Sequence, residues 1–338
     1  MSARRTKRDV GRGGTRLVVM AIALDVAALA GVGATSTGHA WAAPPKAAVT
    51  YVHADDEADA RIGTYVSSDE GFRTNSYWIE GDKGVVVIDT QFLLSAAEEL
   101  IALAERSTGK KVTLAIVLHP NPDKFNGAAV FNRRGIRVIT SSQVLARLPA
   151  VHELRKTWFY DDYKPDYPAD LPKLESFGDK TQVLKVDGLA LKLHVLGKGC
   201  SDAHVVVEYA GHLFPGDVVT NDYHAWLELG YLDEWSEQLR HLQTLDVKAV
   251  HPGRGPSGDA GLLRQQQAYL ETVVRLVREA RPSGRPNEKK LEALQNKIVS
   301  AFPGHRYPLF VSNGLEEVWK RQQASRSQAA APKPRAEK

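Results

Sequence analysis

Histidine, cysteine and carboxylate side chains occur in short segments that adjoin apolar runs. His119 and Asp123 lie in LHPNPDKFNGA, the single cysteine Cys200 lies in GKGCSDAHVVV, and Asp217 lies in LFPGDVV. Imidazole, thiolate and carboxylate groups bind zinc, and the same groups transfer protons or attack carbonyl carbons. These residue types allow either a metal centre or an organic catalytic cluster, provided that the fold brings the segments together.

The elements that would position these segments alternate between strands and helices. In the first half, strands are predicted in TNSYWIE, VVVIDT, VTLAIVLHP and RVITSS, with helices in LLSAAEELIALAERS and around AAVFNRRG. The second half repeats this outline, with strands in TQVLKV, LALKLHVLG, HVVVEYA, HLFPGDVV and VKAVHPG and a helix in DEWSEQLRHLQTL. Two halves of this kind favour two sheets packed face to face with helices outside.

Two later stretches differ from this pattern. Residues 151 to 176 contain the aromatic and proline-rich segment HELRKTWFYDDYKPDYPADLP, which is consistent with a lid over a site or with packed surface. Near the end of the chain, GLLRQQQAYLETVVRLVREA and KKLEALQNKIVSAF have apolar residues at helical spacing and predict two helices.

The first 43 residues have the composition of a secretory signal. Six basic residues precede the apolar run LVVMAIALDVAALAGVGA, which is followed by AWAA. An uncleaved membrane anchor is the alternative, but the run has only about 18 residues and contains Asp25. The six basic and two acidic residues of this segment account for the whole formal charge of +4. We therefore expect export to the periplasm or beyond, no membrane span after cleavage and no nucleic-acid partner.

LHPNPDKFNGA resembles the first motif of the metallo-β-lactamase superfamily, in which His-x-His-x-Asp-His leads into a glycine and a helix. His119 and Asp123 match this motif, whereas Asn121 and Lys124 stand where the family has histidines. Asp89, in VVVIDT, matches the aspartate that follows an early strand in the family. The first motif thus keeps one histidine and lacks two.

Three further landmarks follow in the family's order. GKGCSDAHVVV resembles the Gly-x-Gly-His segment with Cys200 at the histidine position, and LFPGDVV resembles the Gly-Asp segment with Asp217 as the bridging aspartate. VHPGRG resembles Pro-Gly-His-Gly with Arg254 at the histidine position. The resemblance covers roughly residues 60 to 280 and implies an α/β protein with the four-layer αβ/βα sandwich of the metallo-β-lactamase fold.

In this family, histidines and carboxylates hold one or two zinc ions, and zinc lowers the pKa of bound water to about 7. The second zinc is bound at the positions held here by Asp123, Lys124, Asp217 and Arg254. Two carboxylates facing an empty cavity would repel each other, and charged lysine or arginine cannot ligate zinc. We therefore expect Lys124 and Arg254 to replace the second zinc ion with an internal salt-bridge network.

The first metal site has three interpretations. His119, Cys200 and Asp217 offer an imidazole, a thiolate and a carboxylate, with Asn121 as a weak ligand, so zero or one zinc ion is expected. Alternatively, Cys200 is a nucleophile whose pKa is lowered by one of the two cations named above, while His119 transfers protons. In the third interpretation Cys200 packs inertly and the polar residues are structural.

Other residues have weaker assignments. His224 and Trp226 follow the Gly-Asp segment, in a region that borders the pocket in this family, and are predicted to line it here with Asn121. A register shift would bring His251 inward, three residues before the matched arginine. His204 lies within a predicted strand, and we expect it to be a packed histidine rather than a ligand.

The sequence divides into a signal peptide at 1–43, a linker at 44–60, a metallo-β-lactamase-like domain at 61–282, a helical extension packed on it at 283–323, and a disordered tail at 324–338. The expected function is that of a hydrolase-like protein with at most one zinc, acting on a small ester, thioester, lactone or lactam through Asp123, His119 and Cys200. The alternative is a non-catalytic protein that binds a small molecule or a partner protein on the same frame.

Overall fold

A computed structural model describes residues 60–330 of the chain. The predicted signal peptide, nearly all of the linker and the last eight residues lie outside the described residues. Within the described part, no helix combines the length and the apolar composition needed to cross a membrane.

The first sheet has six strands in the order β1-β2-β3-β4-β5-β6. They are β1 (Ile62–Val66), β2 (Asn75–Glu80), β3 (Gly84–Ile88), β4 (Lys111–Ile116), β5 (Arg137–Thr140) and β6 (Glu175–Ser176). The first three strands are antiparallel, and β3 to β6 are parallel. Val85 to Ile88 are all buried, as expected for a strand covered on both faces.

The second sheet has five strands in the order β11-β10-β9-β8-β7. They are β7 (Gln182–Val186), β8 (Leu189–Leu196), β9 (His204–Tyr209), β10 (His212–Thr220) and β11 (Ala249–Arg254). Strands β7 to β10 are antiparallel, and β11 is parallel to β10. The two sheets meet where the Tyr77 ring of β2 packs on the Phe214 ring of β10, with 5.3 Å between centroids.

The helices are α1 (Leu94–Thr108), α2 (Pro122–Phe125), α3 (Ala128–Arg133), α4 (Ser142–Tyr163), α5 (Leu232–Leu242), α6 (Gly261–Glu279), α7 (Glu288–Ala301), α8 (Leu309–Ser312) and α9 (Leu315–Ala330). The helices form outer layers on the two sheets. Successive side chains of β9 point to opposite faces and pack in different apolar clusters. Val205 and Val207 join the apolar cluster of the first sheet with α1 and α4, whereas Val206 joins a second cluster with α5, α6, α7 and α9. The layers therefore form the αβ/βα sandwich that the sequence indicated.

Two segments are those that the sequence left open or predicted to be disordered. The aromatic segment at 151 to 176 begins as the second half of α4, whose first turn is capped by the Ser141 hydroxyl. Phe159 and Tyr163 of α4 pack edge-on against Phe92, so this part is packed on the core. At the end of the chain, α9 continues to Ala330 through residues expected to be disordered. Alanine and glutamine in RQQASRSQAA have high helix propensity, which accounts for this extension.

Candidate functional site

The site lies where strands of both sheets end. Asp89 directly follows β3, His119 follows β4 after two residues of loop, and α2 then supplies Asp123 and Lys124. From the second sheet, β10 supplies Asp217, β11 ends at Arg254, and the loop between β8 and β9 supplies Cys200. The residues that the family resemblance aligned with metal ligands therefore come from both sheets and meet at one edge of the sandwich.

Asp123, Lys124, Asp217 and Arg254 form one buried group, which we call the ion cluster. Lys124 Nζ lies 2.9 Å from Asp217 Oδ1 and 3.2 Å from Asp123 Oδ2. One Nη atom of Arg254 donates to Asp123 Oδ2 at 2.7 Å, and the other donates to Asp217 Oδ2. None of the four residues is more than 6% exposed. Each carboxylate thus faces two cations, and each cation faces two carboxylates.

Neighbouring groups fix the ion cluster in place. An Nη atom of Arg254 donates to the Thr74 hydroxyl at 3.2 Å, and that hydroxyl donates to Asp123 at 3.0 Å. Gly253 leaves room for the second carboxylate, because a Cβ atom at this position would lie 2.0 Å from Asp217 Oδ1. The ion cluster therefore requires a residue without a side chain at Gly253.

The members of the ion cluster stabilise one another's charged forms. Burial raises the pKa of the Asp123 carboxyl, but Lys124 and Arg254 outweigh burial and hold that pKa below its ordinary value. Burial also raises the pKa of Asp217, but Arg254 and, to a smaller extent, Lys124 outweigh burial and hold that pKa well below its ordinary value. Burial lowers the pKa of Lys124, yet the surrounding carboxylates raise it above its ordinary value. All four groups are therefore charged at neutral pH.

Asp89 borders the ion cluster without being ionised in the same way. Its Oδ1 accepts a hydrogen bond from Leu118 N at 2.9 Å, and its Oδ2 lies 3.9 Å from Lys124 Nζ. Burial raises its pKa to about 8, although Lys124 opposes this shift. Asp89 therefore keeps its proton to a higher pH than an ordinary carboxyl, and the two cations of the ion cluster face the two carboxylates of Asp123 and Asp217.

A second group of side chains adjoins the ion cluster and contains metal-ligand types. Ligand atoms of His119, Cys200 and His204 all lie within 4.8 Å of one another, and all three residues are buried. Cys200 Sγ is 3.2 Å from His204 Nε2. His119 Nε2 is 3.7 Å from Asp217 Oδ2, so the two groups touch through this pair. Two imidazoles and a thiol fit one zinc ion, whereas the cations of the ion cluster do not.

The sequence predicts His204 as a packed histidine without a ligand role, and the structure places its ring beside Cys200. His204 begins β9 and turns back onto Cys200, four residues earlier in the preceding loop. Two ligand-type residues separated by three others are a known signal for a shared ion. The sequence contains this spacing, but only the fold shows that the two side chains meet.

The geometry weighs against Cys200 as a nucleophile. Its side chain is buried, and burial together with the charge of Asp217 raises the pKa of the thiol well above its ordinary value. A nucleophilic cysteine requires the thiolate and access to a substrate. Burial also lowers the pKa of His204 to about 3, so its ring is neutral beside the thiol.

Asn121 and Trp226 lie at the margin of the site. Asn121 precedes α2, is half-buried and makes no capping hydrogen bond with its side chain. Trp226 packs edge-on against Phe310 of α8 with 5.0 Å between ring centroids. The Phe310 ring in turn lies 5.1 Å from the Arg254 guanidinium carbon. A residue of the C-terminal extension therefore covers the ion cluster, which the sequence did not predict.

His224 and His251 have partners of their own. His224 Nδ1 is hydrogen-bonded to the Tyr269 hydroxyl at 3.0 Å. His251 contacts His212 through Nε2 at 3.0 Å and Ser257 through Nδ1 at 2.8 Å. Both ring nitrogens of His251 are therefore engaged, and it ligates a metal only if it gives up one of these contacts.

Comparison with known proteins agrees with this fold. The family model for the metallo-beta-lactamase superfamily matches residues 69–254, more than half of the chain, and the chain belongs to that superfamily. It is 26% identical over 204 residues to the Metallo-beta-lactamase type 2 of Bacillus cereus, a match covering 58% of this chain and 72% of the relative. A Metallo-beta-lactamase type 2 from Bacillus sp. (strain 170) is also 26% identical over 204 residues, covering 57% and 71% of the two chains.

Solved structures extend the agreement in fold. The metallo-beta-lactamase from Pontibacter korlensis superposes with a TM-score of 0.52 at 22% identity, covering 67% of this chain and 99% of that chain. The DIM-1 metallo-beta-lactamase gives 0.53 at 20% identity, with 68% and 99% covered. At this identity the likeness concerns the fold alone.

Proposed function

We propose that this protein is an exported, hydrolase-like member of the superfamily that binds at most one zinc ion. The observation that carries the proposal is the contrast between two neighbouring groups. The ion cluster fills the family's second-metal positions with cations, whereas the donor atoms of His119 and Cys200 lie beside it, together with that of His204. The cations of the ion cluster repel zinc, whereas the donor atoms of His119 and Cys200 suit it.

The charges support a limit of one metal. Lys124 and Arg254 are fully buried and positively charged, and between them they engage both oxygens of Asp217 and Oδ2 of Asp123. A divalent ion at this position would have to displace both cations from low-dielectric surroundings, at a large electrostatic cost. The carboxylates are also unavailable as general bases, since their pKa values are lowered by the same cations.

His119 and Cys200 would hold the single zinc ion, which would supply an activated water for attack on a carbonyl centre. The substrates we propose are small esters, thioesters, lactones or lactams, the last in line with the beta-lactamase names of the relatives. Lys124 and Arg254 keep Asp123 and Asp217 fixed beside that zinc position. The side chains of the protein thus exclude bulk water and set the charge around the reacting group.

A second candidate is a non-catalytic protein that binds a small molecule or a partner. The observation that favours it is burial: the seven residues of the two groups are each at most 6% exposed, and Phe310 covers Arg254. A hydrolase needs an open path to its reacting atoms, so this candidate predicts an inert site inside a stable frame.

Metal analysis tests the proposal. Protein purified without chelator should contain up to one zinc per chain, Cys200→Ala should abolish that binding, and His194→Ala, a change at a histidine held by Glu208, should not. Ester, thioester, lactone and lactam hydrolysis should require the bound zinc. Two zinc ions per chain would refute the proposal, and a metal-free protein whose melting is unmoved by chelators would favour the second candidate.

Export is a separate part of the proposal. The basic and apolar composition of residues 1–43 supports it, with cleavage after Ala42 or Ala43. The N-terminal sequence and intact mass of protein recovered from the periplasm of a bacterial host should show the shortened chain. Recovery of uncleaved protein in the membrane fraction would contradict cleavage and favour an anchor.

A further inference from the structure

We propose that His204 is the third protein ligand of the single metal centre, together with His119 and Cys200. This inference rests on the proposed function and specifies the third ligand of the zinc ion. Asn121 stands at a position where the family has a histidine, and His204 enters from β9 in the other sheet. The centre would then be built from two imidazoles and one thiolate.

The separations of the donor atoms suit one ion after a small adjustment. With Zn–N bonds of about 2.0 to 2.1 Å and a Zn–S bond of about 2.3 Å, tetrahedral ligand atoms lie about 3.3 to 3.6 Å apart. Cys200 Sγ and His204 Nε2 are 3.2 Å apart, and no pair among the three ligand atoms exceeds 4.8 Å. Side-chain rotations that bring the wider pairs to this separation would complete the site.

The tautomer of His204 leaves a lone pair beside Cys200. His204 Nδ1 lies 2.9 Å from Gly197 O, an acceptor only, so Nδ1 carries the proton and Nε2 carries the lone pair. Ser201 N donates to that Nε2 at 3.3 Å, which agrees with this tautomer. A backbone carbonyl behind a ligating histidine is the usual second-shell support of a metal site.

His119 supplies the independent observation that points to a ligand. Its Nδ1 is 3.1 Å from the Ser201 hydroxyl, while its Nε2 has no hydrogen-bond partner among the described residues, although the side chain is completely buried. An unsatisfied buried nitrogen is costly, and a metal ion bound at Nε2 would remove that cost. Loop 197–201 therefore supports both imidazoles from behind.

The remaining candidates for the third ligand fit less well. Asn121 is half-buried and offers only an amide oxygen, a poor zinc ligand. Asp217 is near His119, but both of its carboxylate oxygens are held by the ion cluster. Three protein ligands leave the fourth position free for water or substrate, as in catalytic zinc sites.

X-ray absorption on the zinc-loaded wild-type protein gives the first test and needs no variant. We expect one sulfur and two imidazoles at the metal. One sulfur with a single imidazole would overturn the assignment of His204, and a protein that takes up no zinc would overturn this inference and favour the non-catalytic candidate.

Titration with cobalt(II) gives the second test, because thiolate-to-cobalt absorption reports on the bound centre directly. His204→Gln, which fills the space, should weaken cobalt affinity by more than the roughly 10- to 100-fold that loss of a second-shell partner costs. The matched variants Asn121→Ala and His194→Ala should bind cobalt as the wild type does. Unchanged affinity in His204→Gln, with affinity lost in Asn121→Ala, would reject His204 and leave the one-zinc proposal standing.

Discussion

Replacing Lys124 with methionine tests whether the ion cluster depends on its buried cation. Methionine is close to lysine in volume, so the change removes a charge and leaves little cavity. Asp123 and Asp217 would then share Arg254 as their one close cation. Breaking a buried ion pair by removing one partner costs about 3 to 5 kcal/mol. We expect the free energy of unfolding at pH 7 to fall by that amount.

The pH dependence of this loss follows from the carboxyl groups. A buried carboxylate that has lost its cation can become neutral by binding a proton. For an ordinary pKa near 3.9, protonation costs about 4 kcal/mol at pH 7 and about 1.5 kcal/mol at pH 5. In Lys124→Met the folded-state pKa of one carboxyl is raised, so its penalty is present at neutral pH and relieved as the pH falls. The stability difference from wild type should therefore shrink between pH 7 and pH 5.

Urea denaturation of both proteins at each pH measures this difference. The matched control is Lys111→Met, because Lys111 is 82% exposed and pairs with Glu105 at the surface; its loss should be below about 1 kcal/mol. Combining Lys124→Met with Asp217→Asn should recover most of the stability. Unchanged stability of Lys124→Met at pH 7, or a loss that stays constant down to pH 5, would refute the buried ion cluster as an energetic unit.

Two other predictions follow from the same charges. Asp89 binds its proton more tightly in the folded state, with a pKa of about 8, so its stabilising contribution is complete below about pH 4 and is lost as the pH rises toward 8, by about 1.4 kcal/mol per pH unit. Asp89→Asn should flatten the stability profile over that range in urea denaturation, and an unaltered slope would contradict the buried protonated carboxyl. Changing both Lys124→His and Arg254→His should raise zinc content by one ion per chain in native mass spectrometry, whereas unchanged stoichiometry would show that the two cations are not what excludes the second metal.

Much of the fold and the ion cluster could be predicted from the sequence, because the order of strands, helices and family-like motifs along the chain indicates both. Asp123 and Lys124 are adjacent in one turn, and Asp217 and Arg254 lie on neighbouring parallel strands, so the sheet order brings Asp217 and Arg254 close together. The opposite charges at these positions also suggested mutual neutralisation.

The parts that could not be predicted depend on contacts that spacing does not encode. His204 looks like any histidine at the start of an apolar strand until the preceding loop folds Cys200 against it. Phe310 covers Arg254 from an extension outside the segment that matches the family, so no family motif points to it.

The charge balance shows how the ion cluster can link the two halves of the sandwich without a metal ion. One zinc ion carries two positive charges, and Lys124 and Arg254 together carry the same two, facing the same two carboxylates. Asp123 comes from the first sheet's side and Asp217 from the second, so the cations link both as a bridging metal would. They cannot coordinate a water molecule and activate it as a Lewis acid, because they have no vacant orbital for a ligand. In the proposed function, hydrolysis therefore depends on the adjoining donors of His119 and Cys200. The ion cluster has only the structural role that a second metal ion would have.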